Sequence, residues 1–225
     1  MKKKGISHEI LKLIACAAML LDHIGAVFGS GFGLRIIGRM AYPIYCYLLL
    51  EGFMHSRDRN KYGIRLLLGM LLAELPFDYL FFGGFTWQHQ SVMVTLFIGY
   101  VMIIWSRKRG HVLLPFCVCF FAAELIHADY GGMGIAVIAA FMATAGKSRE
   151  RLLQAAMLSL VFWIMESTPV PVLGMKVPIQ MCGLLALIPI SLYSGEKHTY
   201  NKCIQWAFYL FYPVHMIVLL LVKYL

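Results

Sequence analysis

Seven ionisable side chains stand inside long apolar stretches of this sequence: Asp22, His23, Arg39, Glu74, Asp78, Glu124 and His215. A charge in hydrocarbon is costly, so groups of this kind face a polar interior and have partners. Their types make an acid–base inventory. A histidine accepts a proton near neutral pH, a carboxylate orients its ring, and an arginine stabilises a developing oxyanion. Asp22 and His23 are adjacent and point about 100° apart on a helix, so His23 needs an orienting partner from another helix, whereas Glu74 and Asp78, four apart, share one face. The inventory suggests a buried acid–base site, in which Arg39 neutralises one or two of the carboxylates and a histidine between a carboxylate and a cavity accepts a proton. The structural alternative is a set of ion pairs that fix helix packing.

The surrounding residues dictate the elements. Of 225 residues, 60% are hydrophobic and 14% charged, and the mean hydropathy is +0.74, which excludes a water-soluble core in a polar shell. In lipid every backbone amide is satisfied internally, and long apolar runs without strict alternation choose helices. Apolar segments near 9–29, 34–54, 62–83, 91–105, 111–127, 131–145, 152–166, 179–193 and 203–223 predict an all-α polytopic bundle of about nine transmembrane helices, forming one integral membrane domain over 1–225. Counted at about 1.5 Å per residue, the ionisable groups fall roughly 18 to 24 Å from the cytoplasmic edge, in one slab supplied by five helices. The N-terminus resembles a signal peptide, but Glu9 and Lys12 interrupt its apolar stretch, so it reads as the first span.

Charge sets the orientation. Alternate loops carry Lys2, Lys3, Lys4; Arg57, Arg59, Lys61, Arg65; Arg107, Lys108, Arg109; Lys147, Arg149, Arg151; and Lys197, Lys202, which is fifteen of the 20 basic residues. The opposite loops and the C-terminal tail hold only Lys176 and Lys223. This asymmetry places the N-terminus in the cytoplasm and, after nine spans, the C-terminus outside. It also accounts for the net charge of +9 without nucleic acid as a partner. Arg57, Arg59, Lys61, Arg65, Arg107, Lys108 and Arg109 serve topology, and the same groups suit the phosphates of a nucleotide-like cofactor.

Other residues read more plainly. The six cysteines lie in apolar runs with no metal-ligand spacing, so no metal is expected. His89, His111 and His198 fall in loops as solvated side chains, and Glu51 and His55, four apart, line an entry or cap a helix. Glycines and prolines within spans, among them Gly38, Pro43, Pro76 and Pro213, permit close packing or kinks.

Five strings carry a family resemblance: LDHIG (21–25), GRMAYPIYCYLLLEGFMHSRDRNKYGIRL (38–66), AELPFDYLF (73–81), DYGGMG (129–134) and FYLFYPVHMIVLLLVKYL (208–225). Together they resemble the TraX family of conjugal-transfer proteins, while 91–165 matches by length and polarity alone. The resemblance implies a multi-pass acetyltransferase of the bacterial cytoplasmic membrane, because the family's namesake is linked to N-terminal acetylation of pilin subunits. More distantly the arrangement is similar to membrane acyltransferases related to heparan-alpha-glucosaminide N-acetyltransferase, which use cytosolic acetyl-CoA and a buried histidine; His23 matches that role. No obvious RxxR of the polysaccharide O-acetylating branch is present, which points away from a sugar acceptor.

The resulting expectation is acetyl transfer from acetyl-CoA to an amine, at the N-terminus of a pilin-like or exported peptide, directly or through an acetyl-histidine, with His23 as base, Asp22, Glu74 or Asp78 holding its imidazole, Arg39 at the oxyanion and His215 as a second proton carrier. Two other classes fit the residues. A proton-coupled transporter or channel uses relays of Asp, Glu and His, but no inverted repeat is visible here. A non-catalytic pilin assembly factor would tolerate loss of His23.

Overall fold

The computed structural model describes residues 5–29, 32–165, 168–172, 175–195 and 202–225, with backbone alone at 171, 172, 175 and 202–205. Lys2, Lys3, Lys4, Lys197 and His198 lie outside the described residues, as do the side chains of Lys202 and Cys203. Helices α1 (His8–Phe28), α2 (Phe32–Gly38), α3 (Ala41–His55), α4 (Arg59–Phe82), α5 (Val92–Arg109), α6 (Leu113–Leu125), α7 (Gly131–Thr144) and α8 (Glu150–Ile164) follow one another. Strands β1 (Pro169–Val172) and β2 (Met175–Pro178), a 3-10 segment (Ile179–Ala186), α9 (Leu187–Leu192) and α10 (Lys202–Tyr224) complete the chain.

Local chemistry sets the boundaries. Ser7 caps α1, its hydroxyl accepting from Ile10 N–H at 3.3 Å, and Asp58 caps α4, accepting from Lys61 N–H at 3.0 Å. The basic triplet Arg107, Lys108 and Arg109 occupies the last turn of α5, where cations suit the carbonyl end of the helix dipole.

The chain divides into two compact units, Met1–Leu48 with Thr144–Gln205 and Leu49–Ala143 with Trp206–Leu225. Leu11, Ile44, Leu158, Phe162 and Ile190 anchor the core of the first, and Phe53, Leu80, Met102, Ile103, Ile138 and Phe141 that of the second. Asp22, His23 and Arg39 belong to the first unit; Glu74, Asp78, Glu124 and His215 belong to the second.

Helical architecture is as expected, whereas the span count is coarser. Among the described residues, α1 with 21 residues and the Trp206–Tyr224 part of α10 with 19 are long and apolar enough to cross a membrane. Helices α3, α6, α7 and α8, of 13 to 15 residues, reach about 20 to 23 Å, short of a hydrocarbon core of about 30 Å.

Three expected elements are remodelled. The 34–54 segment is two helices, because Pro43 has no N–H for the Arg39 carbonyl and its ring crowds that oxygen, so the helix breaks at Arg39 and Met40. The 167–178 loop contains an antiparallel hairpin pairing Val170 with Val177. Within 179–193, eight residues wind as a 3-10 helix before the short α9.

Candidate functional site

In the first unit the α1–α2 elbow is built around one carboxylate. Asp22 is 9% exposed. Its Oδ1 accepts from Arg39 Nε at 3.2 Å, and its Oδ2 accepts from Arg39 Nη2 and, at 2.9 Å, from Arg35 Nη1. Arg35 Nη1 also donates to the Asp22 carbonyl at 3.2 Å. Gly38 makes this approach possible, since a Cβ there would lie 2.4 Å from the Asp22 Cβ and Oδ1. Two guanidinium groups on one carboxylate leave one net positive charge, with the Arg39 side chain 8% exposed and that of Arg35 33% exposed. His23 follows on α1 and is half-buried. Asp22 thus clamps arginines, while Arg35, absent from the sequence-based candidates, joins Arg39 at the same carboxylate.

In the second unit the acidic face of α4 organises the segment that follows it. Glu74 accepts from Ser91 N–H, at 3.3 and 3.2 Å to its two oxygens, and from the Ser91 hydroxyl. Ser91 is the N-cap of α5 and fully buried, so Glu74 supplies the negative charge that this helix start favours. Asp78, one turn on and 1% exposed, accepts from Thr86 N–H at 3.1 Å. The two acids therefore pin both ends of the connection between α4 and α5. Replacing Ser91 with alanine is expected to cost about 1–3 kcal/mol, the range for a hydrogen bond to a charged group. Chemical unfolding in detergent measures it, and an unchanged midpoint would show that the Ser91–Glu74 hydrogen bond contributes nothing.

His89, expected to be solvated, is held on this connection. Its Nε2 lies 3.3 Å from Asp129 Oδ1, and its ring stacks on Phe77 at 6.0 Å between centroids. The Asp129 hydrogen bond raises its pKa above the ordinary 6.5 against opposing burial, with the charges of Asp129, Glu74 and Asp78 adding to the rise. Because the folded value is raised, the stabilisation is complete below the unfolded pKa and fades as pH rises through the folded one. Melting points of wild type and His89→Gln should therefore differ most in mildly acidic buffer and converge in mildly alkaline buffer. A gap independent of pH would exclude the pairing.

The remaining candidates separate by environment. His215 is 6% exposed, its Nδ1 lies 2.7 Å from the Phe211 carbonyl, and its ring stacks on Phe211 at 4.8 Å. A carbonyl only accepts, so Nδ1 carries the hydrogen and Nε2 is the proton-accepting nitrogen of the neutral ring. Tyr212 is buried beside Ser91, in the field of Asp129 and Glu74. Glu124 lies in the last turn of α6, is exposed, and accepts from Gly132 N–H at 2.7 Å at the start of α7. Gly131, at φ 51°, makes that turn, where a Cβ would meet Glu124 Oε1 at 2.7 Å. His55 Nδ1 lies 3.0 Å from the Glu51 carbonyl, the helix-capping option.

The basic residues are unequal. Arg57 and Arg59 line an open depression of about 430 Å³ with Ser56, Asp58 and Asn60. Arg59 also covers the Phe53 ring at 4.5 Å, and Lys61 pairs with Asp58 at 3.5 Å. Arg65 donates to the Tyr209 hydroxyl at 3.4 Å and lies 5.8 Å from the Tyr62 ring centre. Arg107 reaches Met54 Sδ at 3.5 Å, and Lys108 and Arg109 are exposed.

A helix-rich chain with two described helices long and apolar enough to cross a membrane, and with a buried carboxylate clamped by two arginines, defines a helical protein of membrane character. The TraX protein family model matches residues 7–223, and the chain belongs to that family. It is 31% identical over 236 aligned positions, covering 93% of this chain and 92% of the relative, to a protein of Dichelobacter nodosus described as "Probable fimbrial assembly protein FimC, serogroup H1". An uncharacterized protein of Rickettsia prowazekii (strain Madrid E) is 26% identical over 155 positions, covering 64% of this chain and 58% of that one. No solved structure matches.

Proposed function

We propose that this chain is a multi-pass acetyltransferase of the bacterial cytoplasmic membrane, moving acetyl from cytosolic acetyl-CoA to the amine of a pilin-like or exported peptide. Membership of the TraX family across residues 7–223 carries the reading, and the relative described as a fimbrial assembly protein supports a role connected with pilins. In this reaction the amine nitrogen attacks the thioester carbonyl, the C–N bond forms and the C–S bond breaks. His23 takes the proton that the amine loses and returns it to the departing CoA thiolate. Asp22 acts on Arg39 and Arg35, fixing positive charge one residue from His23, and Arg39 stabilises the oxyanion.

Glu74, Asp78 and His215 belong to the second unit, and in this reading they are further proton-carrying groups. Arg57 and Arg59, at the depression beside Asn60, meet the CoA phosphates, with Lys61, Arg65, Arg107, Lys108 and Arg109 adding attractive charge. The test is purified full-length protein incubated with labelled acetyl-CoA and an amine-bearing peptide. Transfer of label to that peptide, and not to one with a blocked N-terminus, is expected. If wild type neither hydrolyses nor transfers acetyl and CoA fails to bind, the enzyme reading is lost. The name of the Dichelobacter relative favours one second reading, a non-catalytic pilin assembly factor, in which His23→Ala leaves pilus assembly intact.

A further inference from the structure

The α1–α2 elbow carries a positive charge that the described carboxylates of its unit do not balance. Asp22 answers one of its two arginines. Glu9 lies in the first turn of α1, about 20 Å along the axis, and Glu150 is engaged by Arg151, Gln154 and the Gly146 N–H. Arg35 is the open member. Its Nη1 makes both of its hydrogen bonds, to the Asp22 carboxylate and carbonyl, which leaves the N–H groups of Nε and Nη2 as donors without a partner among the described residues. Its methylene stem lies on Gly25, where a Cβ would come within 3.2 Å of its Cγ and Cδ, so the fork is held in place.

The surroundings of that fork are apolar and open. Phe32, on the same side of α2 three residues earlier, is 43% exposed, and Phe28 at the end of α1 is 42% exposed. Asp22 lies about 9 Å inside the end of α1, a depth at which an arginine of a membrane helix presents its head to the lipid interface. A guanidinium fork with spare donors, a surplus positive charge and flanking exposed aromatics complement an oxyanion attached to hydrocarbon.

We propose that the Asp22–Arg35–Arg39 elbow binds the phosphodiester of an anionic phospholipid, with Arg35 donating to its oxygens and acyl chain packed along Phe28 and Phe32. The elbow shares Asp22, Arg35 and Arg39 with the charge assigned beside His23, but lipid retention is read without acetyl-CoA, so either reading can fail while the other stands. Headgroup phosphate and free phosphate share this chemistry, and the experiment separates them. Purified full-length protein in neutral, phosphate-free detergent is presented with phosphatidylglycerol, phosphatidylcholine or inorganic phosphate. Bound lipid is counted by native mass spectrometry and the unfolding midpoint is recorded.

One retained phosphatidylglycerol and a raised midpoint are expected, with neither effect from phosphatidylcholine or inorganic phosphate. Arg35→Gln should weaken phosphatidylglycerol binding roughly tenfold, the value of one charge-assisted hydrogen bond. Arg35→Lys, which keeps charge but loses the fork, should fall between, and the lipid-free midpoint of each variant reports its fold. Should Arg35→Gln not fold, the Lys variant and the lipid selectivity of wild type decide. The site is overturned if a folded Arg35 variant binds like wild type, if phosphatidylcholine binds equally, or if inorganic phosphate alone reproduces the shift.

Discussion

Replacing Asp22 with alanine is expected to lower stability by about 3–5 kcal/mol, the range for removing one partner of a buried ion pair. The magnitude follows from what remains. Arg39 is 7% exposed and sits where the chain breaks between α2 and α3, so its guanidinium cannot turn to water without moving the break. Arg35, with a third of its side chain exposed, rehydrates more readily and contributes less. Asp22→Asn keeps an acceptor for one guanidinium N–H and should cost less than alanine. The double change Asp22→Ala with Arg39→Met removes both buried charges and should recover much of the loss, because an uncompensated charge is costlier than an apolar pair. Denaturant unfolding in detergent measures all four proteins. A loss below about 1 kcal/mol for Asp22→Ala, the scale of an exposed pair, would show that the clamp contributes little.

The helical class was legible because it depends on composition, whereas the start of α4 at Arg59, three residues before the apolar segment that begins at 62, is set by Asp58, a cap that hydropathy does not register. The chemical grouping was legible only in part. Periodicity placed Glu74 and Asp78 on one face, which holds, but it gives no partners, and the structure assigns both to backbone N–H groups of the connection that follows. A local signal exists for the first: a serine directly before an apolar run marks an N-cap, and Ser91 does so. The break at Arg39 was also written in Pro43, whose missing N–H lies four residues past that carbonyl. Arg35 had no such mark, since its role comes from Gly25 and Gly38 letting α2 close onto α1, a tertiary event. His89 escaped for the same reason, as Asp129 is 40 residues away in sequence.

Under the acetyl-transfer reading, His23→Ala should reduce kcat for peptide acetylation by about 10²- to 10⁴-fold, the typical contribution of a general base. The expected signature separates a base from a residue that only supports the fold. CoA binding, which the reading gives to Arg57, Arg59 and their neighbours, should be unchanged, so the loss falls on kcat and not on the KM for acetyl-CoA. Rates of the variant should rise with pH as the free α-amino group, which titrates near 7.7–8.0, loses its proton, and wild type should depend less on that loss. A peptide amine of lower pKa, already neutral at the assay pH, should therefore lose less on removal of the histidine. Equal losses for strongly and weakly basic acceptors would assign His23 to a step other than proton removal, with formation of an acetyl-histidine as the chemistry to trap next. Full activity in His23→Ala would end the case for this residue altogether, and the clamp at Asp22 would then stand as structure without catalysis.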